Sequence, residues 1–175
     1  GGLFCKDGLD IDAISVFLET EGALLKDYSA PGVSHISNED VLTCDCDVLV
    51  PAALENQITA DNAEKLNCRY IVEAANGPTT EEADAILEHR GITLIPDIFA
   101  NSGGVIVSYF EWVQNIQELT WDRDQVNEML EKLMSKSFQS LLDAADECHC
   151  SYRMAAYIVA LRKLVTAEKM KGIFP

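Results

Sequence analysis

Residues 96–112, Pro96-Asp97-Ile98-Phe99-Ala100-Asn101-Ser102-Gly103-Gly104-Val105-Ile106-Val107-Ser108-Tyr109-Phe110-Glu111-Trp112, gather an amide, two adjacent glycines and a hydroxyl. That set suits the holding of a ligand. Glycine lets the backbone approach closely, because no Cβ stands in the way. With a helix starting near Gly103, Val105, Ser108 and Trp112 fall three and four residues apart on one face. Asn101 sits just ahead of that helix. An amide, a small apolar residue and a hydroxyl would then line one pocket. An ordinary buried turn, with Ser108 bonded back to its own helix, satisfies the same spacing.

The elements around this run have to place it. Ile92 to Ile95 is a short apolar strand, ended by Pro96, which cannot donate to a sheet ladder. A strand, a glycine turn and a helix put that turn at the carboxyl end of a sheet, where open α/β folds bind ligands. The arrangement occurs twice more. Asp47-Val48-Leu49-Val50, stopped by Pro51, has the continuous apolar character of a buried parallel strand, and Ala52-Ala53 follow it. Two small side chains there leave room for a flat group, or simply permit tight packing. Tyr70-Ile71-Val72 is the next buried strand and enters Glu73-Ala74-Ala75-Asn76-Gly77-Pro78. With right-handed crossovers the three strand ends lie side by side, so Asn76 and Asn101 should face one crevice.

Residues 1–9 form a loop, with an Asp7-Gly8 turn. Asp10 or Asp12 caps a helix carrying Ile14, Phe17 and Leu18, running to about Gly22. Residues 28–32 are turn-like, and Ser37 to Leu42 is a short helix. Ile58 to Leu66 forms another, with Thr59 as its cap. Thr79-Thr80-Glu81-Glu82 fits a capping box with Thr79 at the cap, and Ala83, Ile86 and Leu87 give the helix its buried face before Gly91 closes it. After Gln117 the chain is wholly helical, from about Asp122 to Glu147 and from Tyr152 to Met170. This predicts an α/β fold with a parallel sheet in residues 1–119 and a helical segment, 120–175, packed on it.

Composition narrows the partners. A net charge of −16 over 175 residues argues against nucleic acid or an anionic membrane. No apolar run approaches the ~18 residues of a membrane helix. Six cysteines in a chain long enough for a real core are expected as free thiols in a reducing, cytoplasmic compartment, with organelle import left open. Cys44-Asp45-Cys46 and Cys148-His149-Cys150 have one intervening residue each, poor geometry for two ligands on one tetrahedral zinc, and no metal site is expected.

Pro-Asp-Ile-x-x-Asn-x-Gly-Gly-Val-x-Val-Ser-Tyr-Phe-Glu-Trp resembles the signature of the glutamate dehydrogenase family, in its nucleotide-binding domain. Pro51-Ala52-Ala53-Leu54-Glu55-Asn56-Gln57-Ile58, Glu73-Ala74-Ala75-Asn76-Gly77-Pro78-Thr79 and Asp7-Gly8-Leu9-Asp10 match as well, so the resemblance spans essentially the whole chain. It implies the C-terminal part of an NAD(P)-binding domain: a partial Rossmann-like, doubly wound parallel sheet followed by C-terminal helices. No Gly-x-Gly-x-x-Gly is present to seat a pyrophosphate on a helix N-terminus. By the family pattern the first βαβ half is absent, and the chain is expected to be a piece of a longer enzyme.

The resemblance also implies an activity, the reversible oxidative deamination of L-glutamate to 2-oxoglutarate and ammonia, with NAD or NADP as cofactor. Ala52 and Ala53 would wall the adenine, Ala75 and Asn76 would line the ribose beside the nicotinamide, and Asn101 would hold the nicotinamide end. Val105 and Ser108 would belong to the substrate pocket, with the serine hydroxyl receiving the side-chain carboxylate of glutamate. Relatives acting on leucine, valine or phenylalanine share Asn-x-Gly-Gly-Val but generally diverge after it, and a hydroxyl at 108 favours a carboxylate side chain over an apolar one. Ser102 stands where the family commonly has alanine. No lysine or arginine lies near Ser108 in sequence to neutralise that carboxylate. In the family this lysine, and the lysine and aspartate of acid–base catalysis, belong to the other domain. The implied partners are that missing N-terminal domain and further copies of the enzyme in a hexamer, and these residues alone are expected to be inactive. The alternative is a non-catalytic module for nucleotide binding or oligomerisation.

Overall fold

The computed structural model describes residues 1–171. The chain divides into two compact units, residues 1–46 with 65–67, and residues 47–64 with 68 onward.

The first unit holds an antiparallel strand pair, β1 (Gly2–Phe4) with β2 (Ser34–Ile36), and between them α1 (Ile11–Leu18) and a 3-10 turn at Leu25–Asp27. The loop expected over residues 1–9 is therefore partly a strand. Gly2 is needed there by close approach: a Cβ would lie 2.6 Å from Val41 Cγ2 of α2 (Asn38–Thr43). Asp10 caps α1, accepting from Ala13 N, and the helix ends at Leu18, short of Gly22. Phe17 packs edge-on against the buried ring of Tyr28, centroids 5.3 Å apart.

Ser37 and Asp40 close a capping box at the start of α2. The hydroxyl and backbone N–H of Ser37 both donate to the Asp40 carboxylate and hold its pKa below the ordinary value. A depressed carboxylate contributes stability above its unfolded pKa and loses it as pH falls through the folded one. An NMR titration is expected to give Asp40 a midpoint below that of a free aspartate, moving upward in Ser37→Ala. An unchanged midpoint would mean that the box does not form in solution.

The second unit is built on a parallel sheet in the order β3 (Val48–Leu49), β4 (Tyr70–Val72), β5 (Thr93–Ile95). Leu49 pairs with Ile71, and Ile71 with Leu94, so Ile71 lies at the centre and is fully buried. Between the strands run α3 (Ala60–Ala63) and α4 (Glu81–His89); Ile58, Ala63, Ala83 and Leu87 complete the core. α3 is a single turn with Thr59 at its N-cap and ends at Ala63, short of Leu66, while Ile58, ahead of the cap, bridges to Thr79. That bridge also moves the cap of α4. Thr80 N donates to Ile58 O, and Thr80, not Thr79, accepts from Ala83 N.

After β5 come α5 (Asp97–Ala100), α6 (Ser102–Gln117), α7 (Arg123–Cys148) and α8 (Tyr152–Lys171). Asp122 caps α7 in a capping box with Gln125, one residue from the expected start. At its other end His149 takes a left-handed φ of 51° and turns the chain into α8. Leu141, Ala144 and Ala145 of α7 meet Ala155 and Ala156 of α8 in a buried cluster, with Phe99 packed against it. Alanines on both helices permit that close approach.

Candidate functional site

The site lies where β4 and β5 end. Strand pairing runs out there, with Glu73 N still donating to Ile95 O at 3.1 Å. Beyond it the two loops are joined by side chains. Glu73, fully buried, accepts from the backbone N–H of Asp97 at 2.8 Å. Asp97 reaches back and accepts from Gly77 N, also at 2.8 Å, while its other oxygen accepts from Ile98 N. Arg153 of α8 supplies the opposing charge. Its Nη1 and Nη2 donate to the two Glu73 oxygens at 2.9 and 2.7 Å, and its Nε and Nη2 donate to Asp84 of α4. Burial works against the guanidinium charge, but the bonds to Glu73 and Asp84 outweigh it and raise the Arg153 pKa. A buried carboxylate is tolerable on these terms, paired and hydrogen-bonded at both oxygens.

The loop after β3 is tied to the one after β4 through backbone groups. Pro51 O accepts from both Ala74 N and Ala75 N, and Asn56 N donates to Gly77 O. Asn56 does so at a φ of 53°, a left-handed conformation that asparagine adopts more readily than most residues.

These ties shape an open crevice of about 700 Å³, whose lining includes Ala53, Glu55, Ala75, Asn76, Asn101 and Val105. Asn101 Nδ2 donates to Asn76 Oδ1 at 2.6 Å. That bond uses one donor and one acceptor, so the amide pair keeps donors on Asn76 and an acceptor on Asn101 for a ligand.

The structure thus brings Ala53, Ala75, Asn76, Asn101 and Val105 to one place. Ala52 is exposed and outside the lining. Ser108 is also outside it, and its hydroxyl donates to Gly104 O at 3.1 Å, the back-bonded alternative. Val105 stands at the rim, 68% exposed. Gly103 and Gly104 do not form a turn; they lie in the first helical turn of α6, with Asn101 at its cap. The turn after β5 is the short helix α5 instead.

Glu73, Asp97 and Arg153 carried no assigned role in the sequence reading. A glutamate ending an apolar strand was the available signal. Arg153 lies 80 residues from Glu73, and nothing local announces it.

A family model described as Glutamate/Leucine/Phenylalanine/Valine dehydrogenase matches residues 1–172. The chain is 46% identical over 172 residues to the cryptic catabolic NAD-specific glutamate dehydrogenase GudB of Bacillus subtilis, covering 98% of this chain and 39% of that protein. It is 46% identical over 176 residues to the NADP-specific glutamate dehydrogenase A1 of Halobacterium salinarum, covering 100% of this chain and 42% of that one. The hetero-hexameric glutamate dehydrogenase of Thermus thermophilus, in a leucine-bound form, superposes with a TM-score of 0.87 at 28% identity, over 98% of this chain and 40% of that chain. The chain spans about two fifths of the length of the curated relatives it matches. With nearly every residue inside the family match, the chain belongs to the glutamate/leucine/phenylalanine/valine dehydrogenase family.

Proposed function

We propose that these residues form the nicotinamide side of the active site in an NAD- or NADP-dependent glutamate dehydrogenase. In this reading residues 1–119 are the C-terminal part of its dinucleotide-binding domain, partial, Rossmann-like and doubly wound, with the parallel sheet in β3, β4 and β5. Residues 120–175 follow as its helical segment, the last four lying outside the described residues. The observation that carries the reading is the meeting of Asn76 and Asn101 at the ends of adjacent parallel strands, beside Ala53 and Ala75.

The residues present fit a dinucleotide. Ala75 is buried in the crevice wall, where a larger side chain would take the space of a flat ring. The donors left on Asn76 and the acceptor left on Asn101 complement a carboxamide or ribose hydroxyls. When bound, the dinucleotide supplies the acceptor or donor of the hydride. Asn76 and Asn101 orient its nicotinamide end, and Ala53 borders the rest.

Ser108 serves the substrate by exchanging partners. Its hydroxyl donates to Gly104 O, and a glutamate carboxylate is the stronger acceptor, since charge-assisted hydrogen bonds are about twice as strong as neutral ones. The neutralising lysine and the acid–base pair come from the partner domain, and these residues alone do not turn over substrate. The exposed apolar stripe of Val105, Tyr109, Trp112 and Ile116 along α6 supports a further covering surface. The whole enzyme works as a hexamer in the cytoplasm.

Initial rates of NADH and NADPH oxidation with 2-oxoglutarate and ammonium, in the full-length protein, test this. Turnover preferring one cofactor is expected. Ser108→Ala should lose about 1–3 kcal/mol of transition-state binding, as for one hydrogen bond to a charged group. No turnover with either cofactor in folded full-length protein would sink the enzyme reading and leave a nucleotide-binding or oligomerisation module.

A further inference from the structure

We propose that Asp97 and Glu73 are positioning residues, which set the separation and aim of the Asn76–Asn101 pair; the inference rests on the proposed role of that pair at the nicotinamide.

The connections form a closed ring. Gly77 N donates to Asp97 Oδ2, and Asn76 is the residue before Gly77. Asn101 N donates to the main-chain oxygen of Asp97 at 3.1 Å, across the single turn of α5. Asn101 Nδ2 closes the ring on Asn76 Oδ1. One residue is therefore bonded by its side chain to the loop carrying one amide, and by its backbone to the main chain of the residue that carries the other. Glu73 anchors Asp97 in turn by accepting its N–H, and Arg153 holds Glu73 in place.

The sheet cannot do this work. Its last paired residues are Val72 and Ile95, and the ladder ends with Glu73 N on Ile95 O. Past that point the two loops would be free to spread. The crossed carboxylates extend the pairing by side chains to the level of the amides.

A carboxylate is specifically required at 97. Both of its oxygens accept from backbone N–H groups, Gly77 N and Ile98 N. An asparagine offers one acceptor and must turn its NH2 toward the other N–H. Ile98 N and the Arg153 guanidinium, whose Nη1 is 3.5 Å from Oδ1, draw the one remaining acceptor to their side, so Asp97→Asn keeps the size, turns its NH2 against Gly77 N and opens the ring there.

The test is a double-mutant cycle in the full-length protein, with Asp97→Asn, Asn101→Ala and the double variant, read as kcat and as the Kd for NADH or NADPH. Asp97→Asn is expected to lower kcat by about tenfold to a hundredfold, the size of effect that misplacing a bound reactant by about 1 Å produces. The dinucleotide Kd should change by less than about threefold, because the misplaced groups touch only one end of the ligand. In the double variant kcat should stay within about threefold of Asn101→Ala alone, since Asp97 then has no amide left to aim. Losses that multiply, or a kcat unchanged in Asp97→Asn, would overturn the inference and leave the pair's own role standing. An Asn101→Ala variant with unaltered kcat and Kd would overturn the amide pair's role at the nicotinamide, and this inference with it. Should Asp97→Asn not fold, Asp97→Ser, which also keeps a single acceptor, takes its place in the same cycle.

Discussion

Arg153→Met is expected to lower the unfolding free energy by about 3–5 kcal/mol, the usual loss when one partner of a buried ion pair is removed. Glu73 has no exposed surface, so its charge cannot turn to water when the guanidinium goes. Asp84 and Asp97 stand against the same guanidinium and lose their counter-charge together. Urea denaturation measures the loss. Arg153→Lys should recover only part of it, because an ammonium lacks the planar fork that serves Glu73 and Asp84 at once. Glu73→Gln placed in the Arg153→Met background should be less destabilised than the sum of the two single changes, since it removes the stranded charge. Additive losses would mean that the guanidinium contributes by packing its stem and not by pairing.

How this centre was built could not be read from sequence, and the reason is physical. Strand β4 was legible because Tyr70-Ile71-Val72 is a continuous apolar run, and β5 because Pro96 stops it; both signals are local. α7 was legible from its apolar periodicity, which placed it from about Asp122 to Glu147. The Glu73–Arg153 pair joins residues 80 apart and leaves no periodic trace. The β1–β2 pair was missed for a similar reason. Each strand has three residues, too few to establish alternation, and their pairing depends on partners 30 to 34 residues away. At α4, two adjacent threonines compete for the cap on equal local terms. The bond of Thr80 N to Ile58 O decides between them, and that is tertiary. Gly103-Gly104 misled in the opposite direction. Glycine costs a helix about 1 kcal/mol relative to alanine, yet α6 runs 16 residues and absorbs the pair in its first turn. In the crevice, the two asparagines and Ala75 were visible as repeated strand-end features. The carboxylates that aim them were present in the same motifs without a local sign of their task.

The sheet beneath the crevice carries the second large effect. Ile71→Ala is expected to cost about 2–5 kcal/mol and Ile71→Val about 0.5–1.5 kcal/mol, read from urea denaturation of both variants. Ile71 is the middle residue of the central strand, with Leu49 on one side and Leu94 on the other. Its neighbours are held by parallel ladders on both flanks, so the space left by the lost atoms closes poorly. Lost transfer energy and a residual cavity then add. The ratio between the two variants is the informative quantity. A steep rise from valine to alanine means a rigid centre that cannot collapse, and such a centre is what holds Glu73, two residues further along the same strand direction, at a fixed height. A shallow rise would mean that the sheet relaxes around the cavity. A sheet that yields could not hold two loops at the level where Asn76 and Asn101 meet. The stability of a buried isoleucine and the aim of two exposed-end amides are therefore one mechanical question, asked at the bottom and at the top of β4.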